Sequence, residues 1–114
     1  MRTPRMTLQV QRVVEAMLRE PAERFYGLQL CGLTGLPSGS IYPILARLED
    51  CEWVESKWED VAEVDEGRPR RRYYRLTSDG ADYARAAMQA IRSARLSAAR
   101  RWGVAAPGAS GAAR

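Results

Sequence analysis

Histidine is absent from the chain, and only two cysteines, Cys31 and Cys51, occur in it. Without imidazole, most acid–base relays and most metal sites lose their usual residue. The two cysteines show no metal-ligand spacing and read as small core residues in a reducing cytoplasm rather than as a disulfide. No apolar run approaches the length of a membrane span, and the opening "MRTPRMTLQVQRVV" lacks the apolar stretch of a secretory signal. Glycine-rich phosphate loops and nucleophile motifs are missing too. These absences argue against an enzyme, a cofactor, a metal and a membrane partner, and they favour a cytoplasmic location.

What is present fits one small domain. The chain has 114 residues, 46% of them hydrophobic, enough for one modest core and little more. A net charge of +4 favours an acidic partner, although so small an excess says little unless the charge is concentrated. It is concentrated in "GRPRRRYYRLT", residues 67–77, where Arg68, Arg70, Arg71, Arg72 and Arg75 surround one proline and two tyrosines. The preceding "EDVAEVDEG" is acidic instead.

Periodicity predicts the elements. Thr7 can cap a first helix whose apolar residues Val10, Val13, Val14, Met17 and Leu18 share one face, with Pro21 ending it by about Glu20. Phe25 and Tyr26 read as a short extended piece, Gly27 as a turn, and Leu28 to Leu33 as a short helix closed by Gly35. In "LPSGSIYPILARLEDCEW", Ile41, Leu45 and Leu48 line one face of a helix over 38–50, with Ser38 or Ser40 as its cap and Pro43 forbidding a much earlier start. A strand from Trp53 to about Asp60, a charged loop and a strand in "RRYYRLT" predict a hairpin with a long tip. Thr77 can cap a long helix over 78–101, roughly 36 Å at about 1.5 Å per residue, more than so small a core needs. The closing "GVAAPGASGAAR" reads as a flexible tail.

That order predicts a mainly α fold with a small β-hairpin (α+β): a winged helix-turn-helix over 1–76, an added dimerisation helix over 77–102 and a tail over 103–114. The recognition helix is then 38–50 and the wing 61–72. A charge run by itself reads first as a solvated face, but after such a helix and hairpin it reads as a grip on DNA backbone or minor groove. Gly67, Arg68, Pro69, Arg70, Arg71 and Arg72 form this wing set. On the helix, Ser38, Gly39, Ser40, Tyr42, Pro43 and Arg47 form the DNA-facing set; the small residues let N–H groups approach a phosphate. Capping by the serines and a half-buried core position for Tyr42 are the competing readings. The acidic residues Glu59, Asp60, Glu63, Asp65 and Glu66 either face away from DNA or pair with the arginines. On the long helix, Ala84, Ala87, Met88, Ile91, Ala94, Ala98 and Trp102 form a stripe suited to a second copy, or to folding back on the first helix.

With those residues in place, the sequence resembles the PadR family of bacterial transcription regulators. The resemblance covers 10–83 and is carried by "YG" at Tyr26–Gly27, "GSIYPILARLE" at 39–49, "WVES" at 53–56 and "GRPRRRYYRLTSDG" at 67–80. It implies a winged-helix, dimer-forming repressor of pseudo-palindromic double-stranded DNA, of the subtype with a single C-terminal helix. Glu52 stands where the family usually has glycine, which implies a different local turn or strain, and the first helix departs from the usual leucine pattern. Some members respond to small aromatic or cationic effectors at the dimer interface, where Trp102 either lines such a pocket or simply packs. The reading from a different class is a winged-helix adaptor that binds another protein through the acidic loop and the alanine-rich helix.

Overall fold

A computed structural model of the chain describes residues 2–63 and 67–103. The acidic residues Asp65 and Glu66, and the tail from Val104 onward, lie outside the described residues. The elements are α1 (Leu8–Leu18), β1 (Phe25–Tyr26), α2 (Gly27–Thr34), α3 (Ser38–Asp50), β2 (Val54–Trp58), a single 3-10 turn (Val61–Glu63), β3 (Arg72–Leu76) and α4 (Ser78–Arg101). Among the described residues, no helix is long and apolar enough to cross a membrane.

Local chemistry accounts for most boundaries. Thr7 caps α1 by accepting from the Val10 N–H at 3.2 Å. Gly35 ends α2 at φ 75, the left-handed conformation that glycine adopts without steric cost. The start of α3 differs from expectation. Its cap residue is Pro37, whose carbonyl accepts from Ser40 and Ile41, and no side chain caps it. Pro43 sits in the second turn, so the carbonyl of Gly39 has no N–H to accept from there.

The predicted hairpin is part of a three-stranded antiparallel sheet in the order β1-β3-β2. Val54 pairs with Leu76 and Trp58 with Arg72, while the short extended piece β1 adds Phe25 opposite Tyr74. The core lies where α1, α2, α3 and the start of α4 meet the sheet. Val10, Val13, Val14, Met17, Leu30, Ile41, Leu45, Leu48 and Trp53 are its largest fully buried side chains. Each contributes about 1.5–3 kcal/mol through apolar burial. Cys51 is buried in this core, and Cys31 is half-buried against it.

Two backbone features join α3 to β2 and to α4. The Trp53 N–H donates to the Leu48 carbonyl at 2.9 Å and the Glu52 N–H to the Glu49 carbonyl at 2.9 Å, with Glu52 at φ 64. This is the glycine-type helix ending of a Schellman motif, carried here by a glutamate. Then Thr77 caps α4 through the Gly80 N–H at 2.8 Å, while its own N–H donates to the Trp53 carbonyl and its hydroxyl to the Glu52 carbonyl, both at 2.9 Å. A side chain at Gly80 would run into the Trp53 carbonyl, so α4 can start here only with glycine at that position.

The expected stripe on α4 is split by this packing. Ala84 is 0% exposed, a member of the monomer's own core together with Ala81, which corrects its assignment to a surface for a second copy. Ala87 and Met88 are half-buried against the same core, Ile91 and Ala98 are half-buried, and Ala94 and Trp102 are exposed. The helix thus uses its first turns to close the fold on α1 and carries the rest of the stripe outward.

Candidate nucleic-acid interface

The exposed start of α3 carries Ser38, Gly39, Tyr42 and Pro43, with Ser40 half-buried and Arg47 exposed further along. Because Pro37 caps the helix, the hydroxyls of Ser38 and Ser40 hold no hydrogen bond among the described residues. Tyr42 is 44% exposed, and its ring covers Gly27 so closely that a side chain there would strike it. Tyr42 therefore spans both expected roles: the hydroxyl end of its ring packs on Gly27 of α2, and nearly half of the residue stays exposed.

The wing is organised around one residue of the acidic run, Glu59. Glu59 is 2% exposed. Its carboxylate accepts from Arg68 Nη1 at 3.0 Å, the Arg71 N–H at 2.9 Å, Arg71 Nε at 3.3 Å and the Tyr26 hydroxyl at 3.2 Å. Its N–H donates to the Arg71 carbonyl at 2.8 Å, and its own carbonyl accepts from Arg70 Nε at 2.6 Å. A buried carboxylate is tolerable only with such partners. The Arg68 guanidinium first, then the Arg71 N–H and side chain and the Tyr26 hydroxyl, hold its pKa down from the ordinary 4.5 to about 2 against the opposing effect of burial. Of the two readings of the acidic run, pairing with the arginines holds for Glu59. The pairing was accessible in principle: extending the register by one residue beyond Trp58 and Arg72 sets Glu59 opposite Arg71.

The arginines consequently differ in what they can still bind. Arg68 and Arg71 face Glu59, and Arg71 also lies over the Tyr26 ring at 3.9 Å. Arg72 donates through Nε and Nη2 to the Ser56 hydroxyl at 3.0 and 2.6 Å, and that hydroxyl donates to Glu49 at 2.6 Å. Arg70 uses only Nε, which leaves its two terminal nitrogens without a partner among the described residues. Gly67, at φ 87, and exposed Pro69 shape the return of the tip. The start of α3 and the arginine strand flank one cleft, lined by Tyr42 from α3 and by Arg70, Arg71 and Arg72. Trp58, 55% exposed on the same cleft, was legible only as a strand residue.

A helix-turn-helix whose second helix presents small polar residues beside an arginine-bearing hairpin defines the winged-helix class of DNA-binding regulators. The family follows from comparison: residues 28–86, just over half of the chain, match the model of the Transcriptional regulator PadR-like family, and the chain belongs to that family. Solved structures agree on the fold. A PadR family transcription regulator from hypervirulent Clostridium difficile R20291 is similar at 22% identity and a TM-score of 0.66, over 84% of this chain and 98% of that one. A PadR family transcriptional regulator from Eggerthella lenta DSM 2243 is similar at 22% identity and a TM-score of 0.65, over 83% and 87%. A PadR-like transcription factor from Bacteroides fragilis is similar at 18% identity and 0.65, over 82% and 88%. No curated protein sequence matches the chain.

Proposed function

We propose that the protein is a homodimeric repressor that binds a pseudo-palindromic operator. Its domain over 1–76 places α3 in the major groove and sets the wing on flanking backbone or minor groove. The carrying observation is the pair of unbonded serine hydroxyls at the exposed start of α3, beside a wing whose Arg70 keeps both terminal nitrogens unpartnered among the described residues. Ser40 and Tyr42 meet phosphates or base edges, and Arg47 lies further along the same groove. Glu59 fixes the wing's shape through Arg68 and Arg71, and Arg70 and Arg72 meet the phosphates. Ala87, Met88, Ile91, Ala94, Ala98 and Trp102 on α4 form the dimer contact, which spaces two recognition helices about one DNA turn, roughly 34 Å, apart.

Selection of the purified chain on a random duplex library tests this. Recovery of a two-fold symmetric motif with half-sites about one turn apart supports the reading, and sedimentation of the free protein as a dimer supports the assembly. Recovery of no motif from folded protein overturns it in favour of a protein-binding role.

A further inference from the structure

The cleft between the start of α2, Tyr42 of α3 and the arginine strand encloses about 400 Å³. That is within the roughly 300–1,000 Å³ typical of small-molecule sites. Its floor and walls are aromatic: Tyr26, Tyr42, Trp58 and Tyr74. Tyr74 is 7% exposed, yet its hydroxyl holds no hydrogen bond among the described residues. That hydroxyl keeps some accessible surface, so it is open to a partner in the cleft.

The rim is cationic and already ordered. Arg72 is fixed by Ser56 and lies 6.0 Å from the Trp58 ring and 5.8 Å from the Tyr74 ring, with Nη1 still open. Arg70 is anchored through Nε, with both terminal nitrogens open. Leu28, in the first turn of α2, adds an N–H that has no carbonyl within the helix to bond. These donors come from two separate elements and together suit an anion with several oxygens, such as a phosphate. The arginines exclude a cation. The aromatic floor asks for a planar ring on the same ligand. A duplex cannot supply that ring, because its bases are stacked away from its phosphates.

We infer that this cleft binds a free nucleotide, its phosphate on Arg70, Arg72 and the first turn of α2 and its base among Tyr42, Trp58 and Tyr74. A bound nucleotide occupies wing arginines that the proposed DNA complex needs, so the two ligands compete. The nucleotide site stands on the cleft alone, and the competition rests on the proposed DNA-binding function.

The test is an NMR titration of the full chain with adenosine 5′-monophosphate, adenosine and inorganic phosphate, each followed by backbone and indole N–H shifts. The site predicts saturable shifts with the monophosphate at Gly27, Leu28, Tyr74 and the Trp58 indole. Adenosine and phosphate separately should bind at least about tenfold more weakly, since each lacks one half of the recognition. Trp58→Ala and Arg70→Ala, with the rest of their spectra unchanged, should each weaken the monophosphate about tenfold as well. No saturable shift, shifts mapping elsewhere, or phosphate alone binding as tightly as the monophosphate overturns the site. Addition of the selected duplex to the loaded protein should release the nucleotide; simultaneous binding of both overturns the competition and leaves the site. Failure of duplex selection alongside intact nucleotide binding sinks only the DNA reading.

Discussion

Glu52 offers the sharpest test of the backbone argument. It holds φ 64 at the end of α3, a conformation that costs an L-residue about 1–2 kcal/mol. Two backbone hydrogen bonds of 2.9 Å enforce it, Glu52 N–H to Glu49 and Trp53 N–H to Leu48, and the Glu52 carbonyl is held by Thr77. The side chain is exposed and makes no hydrogen bond among the described residues, so replacing it removes nothing but strain and a negative charge. Glu52→Gly relieves the strain but loses about 0.5–1 kcal/mol through the greater freedom of glycine in the unfolded chain. The charge sits at the negative end of the α3 dipole, so its loss adds a few tenths of a kcal/mol in the same direction as the strain relief. The expected net gain is about 1 kcal/mol, or a rise in Tm of about 4–8 °C for a domain of this size. Glu52→Gln separates the two effects, because it removes the charge and keeps the strain. Thermal and urea unfolding of the three proteins should rank glycine well above glutamine, and glutamine slightly above glutamate. A glycine variant no more stable than the glutamine variant would refute the claim that strain resides at this residue.

Gly80→Ala should destabilise by about 2–3 kcal/mol in urea unfolding, although alanine is the better helix former by about 1 kcal/mol, because its Cβ meets the Trp53 carbonyl. Ser40→Ala should leave unfolding within about 0.5 kcal/mol of the parent, since Ser40 caps nothing, while duplex binding weakens in a gel-shift assay. Arg70→Ala should reduce the slope of log K against log salt by about 0.9, as expected for one lost phosphate contact. Glu59 has a folded-state pKa below its unfolded value, so its contribution is complete above pH 4.5 and is lost as pH falls from 4.5 toward 2. Acid titration of the Trp58 and Arg71 N–H resonances should show the wing loosening in that window, and Glu59→Gln should remove the transition.

Much of the architecture was legible because local chemistry and tertiary packing agree. Thr7 and Thr77 announce their helices, and the apolar spacings at Val10–Met17 and Ile41–Leu48 face the core as read. The two-residue β1 was legible as extended, but its pairing with β3 depends on the fold bringing Phe25 opposite Tyr74. Pro37 took the cap that the serines were expected to provide, since its extended backbone aims its carbonyl at the Ser40 and Ile41 N–H groups without any side chain. Ala84 lies on the predicted stripe, yet a stripe does not say which of its turns face the chain's own α1. The arginines were conspicuous in the sequence, whereas their division is a property of side-chain geometry: Arg68 and Arg71 face the Glu59 carboxylate, Arg72 is held by Ser56 and Glu49, and Arg70 keeps its terminal nitrogens open.

The meeting point of Trp53, Thr77 and Gly80 has a mechanical meaning. The carbonyls just past the last turn of α3 are the groups on which the first turn of α4 is seated, although the hairpin separates the two helices in sequence. In the proposed dimer, each α3 is therefore tied directly to the start of its own α4. A change in how two α4 helices cross would then bear on the α3 pair through these backbone contacts. For the proposed dimer, operator spacing is then expected to follow helix crossing, and a substitution far out on α4 is expected to retune DNA binding without touching a DNA-facing residue.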